Sequence, residues 1–154
     1  GQAMPLADIE RLLAGVAGRA IVVVDEAYGE YSAVPSALTL RAKHANLVVL
    51  RTLSKAYALA GARLGITIGD PALIRVLNAI APPYPLASPA VALALEAVSE
   101  PAADEARRRA GRVVAERERV AAALESQVGV RVVYASDANY LLVRFNDADA
   151  AFRA

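Results

Sequence analysis

The sequence has no cysteine and only one histidine, His44, and these two scarcities exclude several kinds of site. Without cysteine there is no disulfide scaffold, no thiolate nucleophile and no cysteine-built zinc site. A single histidine excludes any site that needs two, and we expect no metal centre. Seventeen Lys and Arg residues against sixteen Asp and Glu leave a net charge of +1. That balance gives no electrostatic case for binding nucleic acid or an anionic membrane.

Long apolar runs and targeting signals are also missing. No apolar run approaches the roughly 20 residues that a membrane span needs. The opening residues, GQAMPLADIE, contain no basic segment followed by an apolar one, which a signal peptide requires. We therefore expect a soluble, cytoplasmic protein.

The sequence does contain enough apolar material for a core. Of its 154 residues, 56% are hydrophobic and 21% are charged, which argues against disorder. Lysine is scarce, since only Lys43 and Lys55 accompany fifteen arginines. A lysine amine can lose its proton and attack a carbonyl, whereas an arginine cannot, so each lysine is a candidate for chemistry.

Strands alternate with helices over the first two thirds of the chain. Three β-branched runs predict buried strands, over 20–24, 46–51 and 65–69. Apolar residues at helical spacing predict three helices, over 5–17, 71–80 and 90–99. Three consecutive buried strands predict a parallel α/β layer. Asp70 is expected to cap the helix that begins at Pro71.

The remaining elements predict a second, smaller unit. Pro101 marks a break in the helical pattern, and a long helix is expected over 102–127. Strands over 130–135 and 139–145 are expected in a different sheet, and Asp147 is placed to cap a last helix.

We divide the chain into two parts, residues 1–98 and residues 99–154. The first sheet has few strands for an α/β layer, and the second unit stops just after a helix begins. We therefore expect a segment of a larger protein, with apolar faces left uncovered.

Asp25 directly follows the first strand, in the segment VVVDEAYGEY. Ligands of open α/β sheets bind at the carboxyl ends of the strands. Taken alone, Asp25 has two interpretations of equal weight. It is either a carboxylate whose hydrogen bonds are satisfied locally, or a carboxylate held for a cationic partner. Tyr28 brings a phenol to the same edge.

A second polar group follows the second strand, in LVVLRTLSKAYALAGARLG. Thr52, Ser54 and Lys55 come directly after the strand, and Arg63 lies between two glycines. Hydroxyls, backbone N–H groups and a guanidinium together favour a phosphate. Lys55 lies among Ala, Leu and Tyr, where we expect desolvation to favour the neutral, nucleophilic amine; the alternative is a solvated loop lysine. The segment is not a P-loop, because its glycines follow the lysine.

A strand-end acid, a phenol, a lysine and a phosphate anchor are the groups that pyridoxal phosphate requires. The segment TLSKAYALAGARLG is typical of aminotransferases in general. With VVVDEAYGEY, APPYPLASP and SDANYLLVRF, the chain resembles the histidinol-phosphate aminotransferases, which are fold-type-I enzymes that depend on pyridoxal phosphate. The resemblance implies part of the large, cofactor-binding α/β domain with a mainly parallel sheet, followed by the start of the small α/β domain.

The resemblance also implies a role for each candidate residue. Lys55 would form the Schiff base and shuttle the proton between the substrate and the cofactor. Asp25 would pair with the pyridinium nitrogen, and Tyr28 would hydrogen-bond the ring hydroxyl oxygen. Ser54 and Arg63 would hold the cofactor's phosphate, and Thr52 is a weaker candidate for the same role.

The activity implied is transamination in histidine biosynthesis. This reaction converts L-histidinol phosphate and 2-oxoglutarate to imidazole-acetol phosphate and L-glutamate. The expected partners are therefore small-molecule substrates, and the expected assembly is a homodimer. In this family an upstream segment and a downstream arginine complete the site, so we expect the chain to be inactive alone. The alternatives are an aromatic aminotransferase, a threonine-phosphate decarboxylase and a non-catalytic α/β interaction module.

Other polar residues have structural interpretations. His44 is expected in the surface connection before the second strand, and Arg107–Arg109 on a solvated helix face. Tyr57 fits either packing or a pocket wall, while Tyr84 and Asn139 are weaker candidates near the site.

Overall fold

The computed structural model describes residues 1–153 and contains two small sheets connected by helices. The first sheet has the order β1-β2-β3, with β1 (Val22–Asp25), β2 (Leu47–Thr52) and β3 (Gly65–Gly69). The second pairs β4 (Val130–Tyr134) with β5 (Leu142–Phe145) in antiparallel fashion. The helices are α1 (Leu6–Gly15), α2 (Pro71–Ile80), α3 (Ser88–Ala97), α4 (Glu100–Glu125) and α5 (Ala148–Arg153).

The main core lies between α1 and one face of the first sheet. Ile9 and Leu13 of α1 pack against Leu47 and Val49 of β2, and Leu40 closes the cluster. Burying each such side chain contributes roughly 1.5–3 kcal/mol, so this cluster fixes α1 on the sheet.

A second, smaller cluster joins the first sheet's loops to α4. Tyr31 packs with Ala56, which follows β2, and with Ala110 of α4. Tyr28 and Tyr57 pack against this cluster from the side. Because alanine is small, α4 can approach the strand-end loops closely at this point.

The direction of the third strand departs from the parallel layer that the three strand runs predict. β1 and β2 are parallel, with Val24 opposite Val49, but β2 and β3 are antiparallel, with Thr52 opposite Gly65. Parallel neighbours need a crossover, usually a helix, and segment 53–64 contains only a short 3-10 turn. Two strands are also less buried than predicted: Gly65, Ile66 and Thr67 of β3 are exposed, and β1 alternates between half-buried and exposed residues. The sheet is therefore mixed.

The predicted helix signals are confirmed with small shifts. Asp70 caps α2, its Oδ1 accepting a hydrogen bond from the Ala72 N–H at 2.8 Å. Asp147 does the same for α5, accepting from the Ala150 N–H at 2.9 Å. Pro101 lies in the first turn of α4 rather than at a break, because a proline lacks the N–H that this turn leaves unpaired anyway.

Many large apolar side chains are exposed, as the sequence predicted for uncovered faces. They include Val23 on β1, Ile80 at the end of α2 and Leu95 on α3. Over residues 1–153, no helix is both long enough and apolar enough to cross a membrane.

Candidate active site

Asp25 lies at the carboxyl end of β1, where the strand's backbone pairing gives way to a turn. Its Oδ1 accepts a hydrogen bond from the Ala27 N–H at 2.9 Å, and its side chain is exposed. The bond uses one carboxylate oxygen and orients the group. The sequence left two alternatives for Asp25, a carboxylate with local hydrogen bonds and a carboxylate available to a cationic partner. The structure combines both.

Thr52 is the last residue of β2, and Ser54 follows it at the same edge of the sheet. The Thr52 hydroxyl donates to the Leu64 carbonyl at 3.1 Å and accepts from the Ser54 N–H at 3.1 Å. The Ser54 hydroxyl lies 2.9 Å from the Thr52 hydroxyl. Because Thr52 is engaged with the protein on both sides, its first effect is to hold Ser54 in place.

Lys55 extends from the same turn toward Tyr28. Its Nζ lies 5.2 Å from the centroid of the Tyr28 ring, in a cation–π contact that joins the ends of the two strands. The Lys55 side chain is exposed, so the expected desolvation is wrong for this structure. The Lys55 carbonyl accepts from the Ala58 N–H at 3.0 Å, closing a turn in which Ala58 has a φ of +57°.

Arg63 reaches this edge because β3 runs antiparallel to β2. The chain therefore returns to the edge before β3 begins, and Gly65 lies opposite Thr52. Arg63 has a φ of +53°, a left-handed conformation that non-glycine residues seldom adopt outside constrained sites. Its exposed guanidinium donates to the Ala60 carbonyl at 3.1 Å and keeps further donors free for a ligand.

A cavity of about 350 Å³ opens beside Asp25 and Tyr28. Its far wall is formed by Asp137, Ala138 and Tyr140, from the turn between β4 and β5. The Tyr140 ring meets Tyr28 edge-on, with centroids 5.5 Å apart and an interplanar angle of 79°. Sequence reasoning missed Tyr140 and considered Asn139 instead, since nothing local shows that this distant turn packs on the first strand.

A mostly buried triad of ion-paired side chains beside the site was also not predicted from the sequence. Arg51, at the end of β2, donates to Glu26 at 2.7 Å and to Glu30 at 3.1 Å. Glu26 accepts two more hydrogen bonds, from the Ser36 hydroxyl and the Ala37 N–H, each at 2.7 Å. The triad fixes the end of β2 to the loop that carries Tyr28.

The remaining candidates lie away from this edge or pack beside it. Tyr57 packs against the Tyr31 cluster, and Tyr84 and Asn139 are exposed. His44 lies in the connection before β2, as predicted, with its Nε2 3.6 Å from Glu10. Arg107 and Arg108 are exposed and pair with acids of their own helix, which confirms the solvated face expected for them.

The ends of two neighbouring strands thus present an acid, a phenol, a lysine and two hydroxyls at one edge of the sheet. The chain belongs to the aminotransferase class I and II family, whose family model matches residues 1–154. It is similar to the histidinol-phosphate aminotransferase of Xanthomonas campestris pv. campestris, with 53% identity over 154 residues. That match covers 100% of the chain and 42% of the relative, so the chain spans less than half the length of the curated relatives it matches.

Solved structures show the same fold. The structure of histidinol-phosphate aminotransferase from Sinorhizobium meliloti in complex with pyridoxal-5'-phosphate matches with a TM-score of 0.83 at 25% identity. The match covers 100% of this chain and 41% of that one. L-threonine-O-3-phosphate decarboxylase from Porphyromonas gingivalis matches with a TM-score of 0.81 at 21% identity, covering 96% of this chain and 44% of that one. At that identity the second likeness concerns the fold alone.

Proposed function

We propose that the chain supplies the cofactor-binding strand ends of a histidinol-phosphate aminotransferase. The reaction converts L-histidinol phosphate and 2-oxoglutarate to imidazole-acetol phosphate and L-glutamate. The observation that carries this proposal is the convergence of Lys55, Tyr28 and Asp25 at one edge of the sheet, with the Lys55 Nζ 5.2 Å from the Tyr28 centroid. The 53% identity to the Xanthomonas campestris pv. campestris enzyme supports the choice of substrates.

The residues present fit pyridoxal 5'-phosphate. The exposed Lys55 amine is free for a covalent bond to the cofactor's aldehyde, and Asp25 has a carboxylate oxygen free for a pyridinium N–H. The phosphate would be bound by the Ser54 hydroxyl and the Arg63 guanidinium, since Arg63 has donors beyond the one used by Ala60. Thr52 would act through Ser54.

When bound, the cofactor withdraws electrons from the carbon that loses a proton. The protein's own groups then have three tasks. The Asp25 carboxylate would pair with the ring nitrogen and favour its protonated form. The Lys55 Nζ would take and return a proton at the substrate α-carbon, which is general acid–base chemistry. The Tyr28 hydroxyl would donate to the ring oxygen.

The scarcity of lysine makes the proposal simple to test. The protein is incubated with pyridoxal phosphate, reduced with borohydride and mapped by peptide mass. We expect a pyridoxyl adduct on Lys55 and none on Lys43, whose side chain is 70% exposed and so serves as an internal control. Lys55→Arg should abolish the adduct and Lys43→Arg should keep it. Equal labelling of both lysines, or none, contradicts the cofactor site.

The reaction class needs a separate assay, made on the protein as its gene encodes it. Turnover of L-histidinol phosphate with 2-oxoglutarate should yield L-glutamate in proportion to the substrate consumed. Release of carbon dioxide from a phosphorylated amino acid, without glutamate, would instead favour a decarboxylase. Activity that is confined to aromatic amino acids would favour an aromatic aminotransferase.

Assembly and location complete the proposal. A homodimer is supported by apolar side chains that are exposed along α2 and the proline-rich bend after it: Val76, Leu77, Ile80, Tyr84 and Leu86. We also place the protein in the cytoplasm, because the proposed substrates are intermediates of amino-acid synthesis. Cell fractionation with a cytoplasmic marker tests the location.

A further inference from the structure

Arg117 of α4 connects the two parts of the chain. Its Nη1 donates to the Ala138 carbonyl at 2.7 Å and to the Tyr31 carbonyl at 3.3 Å. Tyr31 follows the β1 loop that carries Tyr28, whereas Ala138 belongs to the turn between β4 and β5. One half-buried guanidinium therefore holds main-chain oxygens of both units.

The turn held by Arg117, residues 136–140, is ordered by its own hydrogen bonds. The Ser136 hydroxyl donates to the Tyr140 carbonyl at 2.7 Å and accepts from the Ala138 N–H at 3.1 Å. Asp137 also accepts a hydrogen bond from the Ala3 N–H at 2.8 Å. Because Ala138 is only 2% exposed, the turn packs as a unit, and fixing its middle fixes Tyr140 at its end.

Tyr140 in turn fixes the ring of Tyr28. The two rings meet edge to face at 5.5 Å, while Lys55 lies over the Tyr28 ring at 5.2 Å from its centroid. Edge-to-face aromatic pairs are directional, so the orientation of Tyr140 limits that of Tyr28. The path from Arg117 to the candidate site therefore runs through one turn and one aromatic pair.

We propose that Arg117 is a positioning residue that holds the 136–140 turn on the first sheet, so that Tyr140 orients Tyr28 at the cofactor edge. The proposal rests on the proposed function for its effect on cofactor binding. The effect of Arg117 on the order of the 136–140 turn does not depend on the proposed function, because it involves the protein alone. Two measurements therefore separate the two ideas.

The first measurement is hydrogen exchange across 136–140, made without cofactor on the protein as its gene encodes it. R117Q should lose protection in this turn while α1 and β2 keep theirs. The matched control is R119Q, since Arg119 is exposed on the same helix and pairs only with its neighbour Glu116 in the described structure. Unchanged protection in R117Q, or equal loss in R119Q, overturns the proposal.

The second measurement is the dissociation constant for pyridoxal phosphate, obtained by absorbance titration. R117Q should weaken binding by roughly tenfold, because two charge-assisted hydrogen bonds are lost, and R119Q should not. Y140A should weaken binding to a similar degree, Y140F should retain it, and R117Q/Y140A should be little worse than either single variant. Effects of R117Q and Y140A that multiply independently contradict a shared path.

These outcomes distinguish failure of the inference from failure of the proposed function. If wild-type protein forms no adduct at Lys55, the cofactor site is wrong, while exchange in the 136–140 turn still tests the role of Arg117. If the adduct forms and R117Q matches R119Q in both measurements, Arg117 is a surface contact only. R117K guards against misfolding, since it keeps the charge and should give an intermediate loss of protection.

Discussion

Arg51 shows how a single partly buried charge can set the shape of the candidate site. It is 27% exposed and lies between Glu26, at 11%, and Glu30, at 12%. A buried charge is tolerated only when its hydrogen bonds are satisfied, and removing one partner costs far more than the pair contributes. The triad therefore fixes the loop after β1 to the end of β2.

Gly29 is the residue that leaves room for this triad. A Cβ at this position would lie 2.8 Å from the Arg51 Nη1, which is held by Glu26 and cannot move away freely. We expect Gly29→Ala to lower the free energy of unfolding by about 1–3 kcal/mol, as the guanidinium is displaced from its partners. Thermal denaturation measures it. A Gly29→Ala protein as stable as wild type would show that the triad adapts.

Tyr31 predicts a loss of stability at alkaline pH. Burial raises the pKa of the Tyr31 hydroxyl above its usual range, and Glu30 and Tyr28 raise it further, while Lys55 and Arg109 lower it. A folded pKa above the unfolded one gives stability that is fully present below the unfolded value of about 10 and is lost as pH rises through the folded pKa. Unfolding measured from about pH 8 to 11 should show a weaker alkaline loss for Tyr31→Phe than for wild type. Tyr84→Phe, at a side chain 96% exposed, is the control and should leave the profile unchanged.

Residues next to a strand end could be predicted, and residues brought in from a distance could not. Asp25 and Lys55 follow apolar runs directly, and the rule that ligands bind at carboxyl ends places them together. Tyr140 contacts Tyr28 from a turn more than a hundred positions away, and no local pattern signals that pairing. The burial expected for Lys55 was wrong for the same reason, since apolar neighbours in sequence need not surround a side chain in space.

At the scale of elements, strand existence was predictable and strand direction was not. The run over 65–69 matches β3, yet its direction depends on the connection that precedes it. Segment 53–64 folds back on itself, with the Leu53 N–H bonded to the Leu64 carbonyl at 3.4 Å. That return brings Leu64, the neighbour of Arg63, against the end of β2, where the Thr52 hydroxyl donates to the Leu64 carbonyl at 3.1 Å.

The long helix α4 contains a position where its stability can be raised. Gly111 is exposed within Glu100–Glu125, and a Cβ there would meet nothing within 4 Å. Glycine in a helix interior costs about 1 kcal/mol relative to alanine, so Gly111→Ala should stabilise the protein by up to that amount. Ala115→Gly, the reverse change at an exposed position of the same helix, should destabilise the protein by a similar amount. Urea unfolding of the two variants measures both effects. If neither change altered the free energy of unfolding, α4 would unfold before the rest of the chain.

At the scale of the whole molecule, the distribution of exposed apolar residues matters most. Single exposed apolar side chains are normal, but contiguous ones mark surfaces that another structure covers. On α2 and the bend after it they follow one another closely, and Tyr84 there has a φ of +54°. This run of exposed apolar side chains is the surface on which the proposed homodimer would form.

This surface gives the last prediction, which concerns assembly. Ile80 is 76% exposed at the end of α2, so in a monomer Ile80→Asp would disturb no internal packing. If the proposed homodimer buries this residue, a charge there would be desolvated without a partner, and dimerisation should weaken by at least about a hundredfold. Light scattering of the protein as its gene encodes it, across a dilution series, measures the change. Val128→Asp, at a fully exposed loop position, is the matched control and should leave the dimer intact. An Ile80→Asp protein that dimerises like the control would place the interface elsewhere, and the apolar side chains of α2 would then need a different cover.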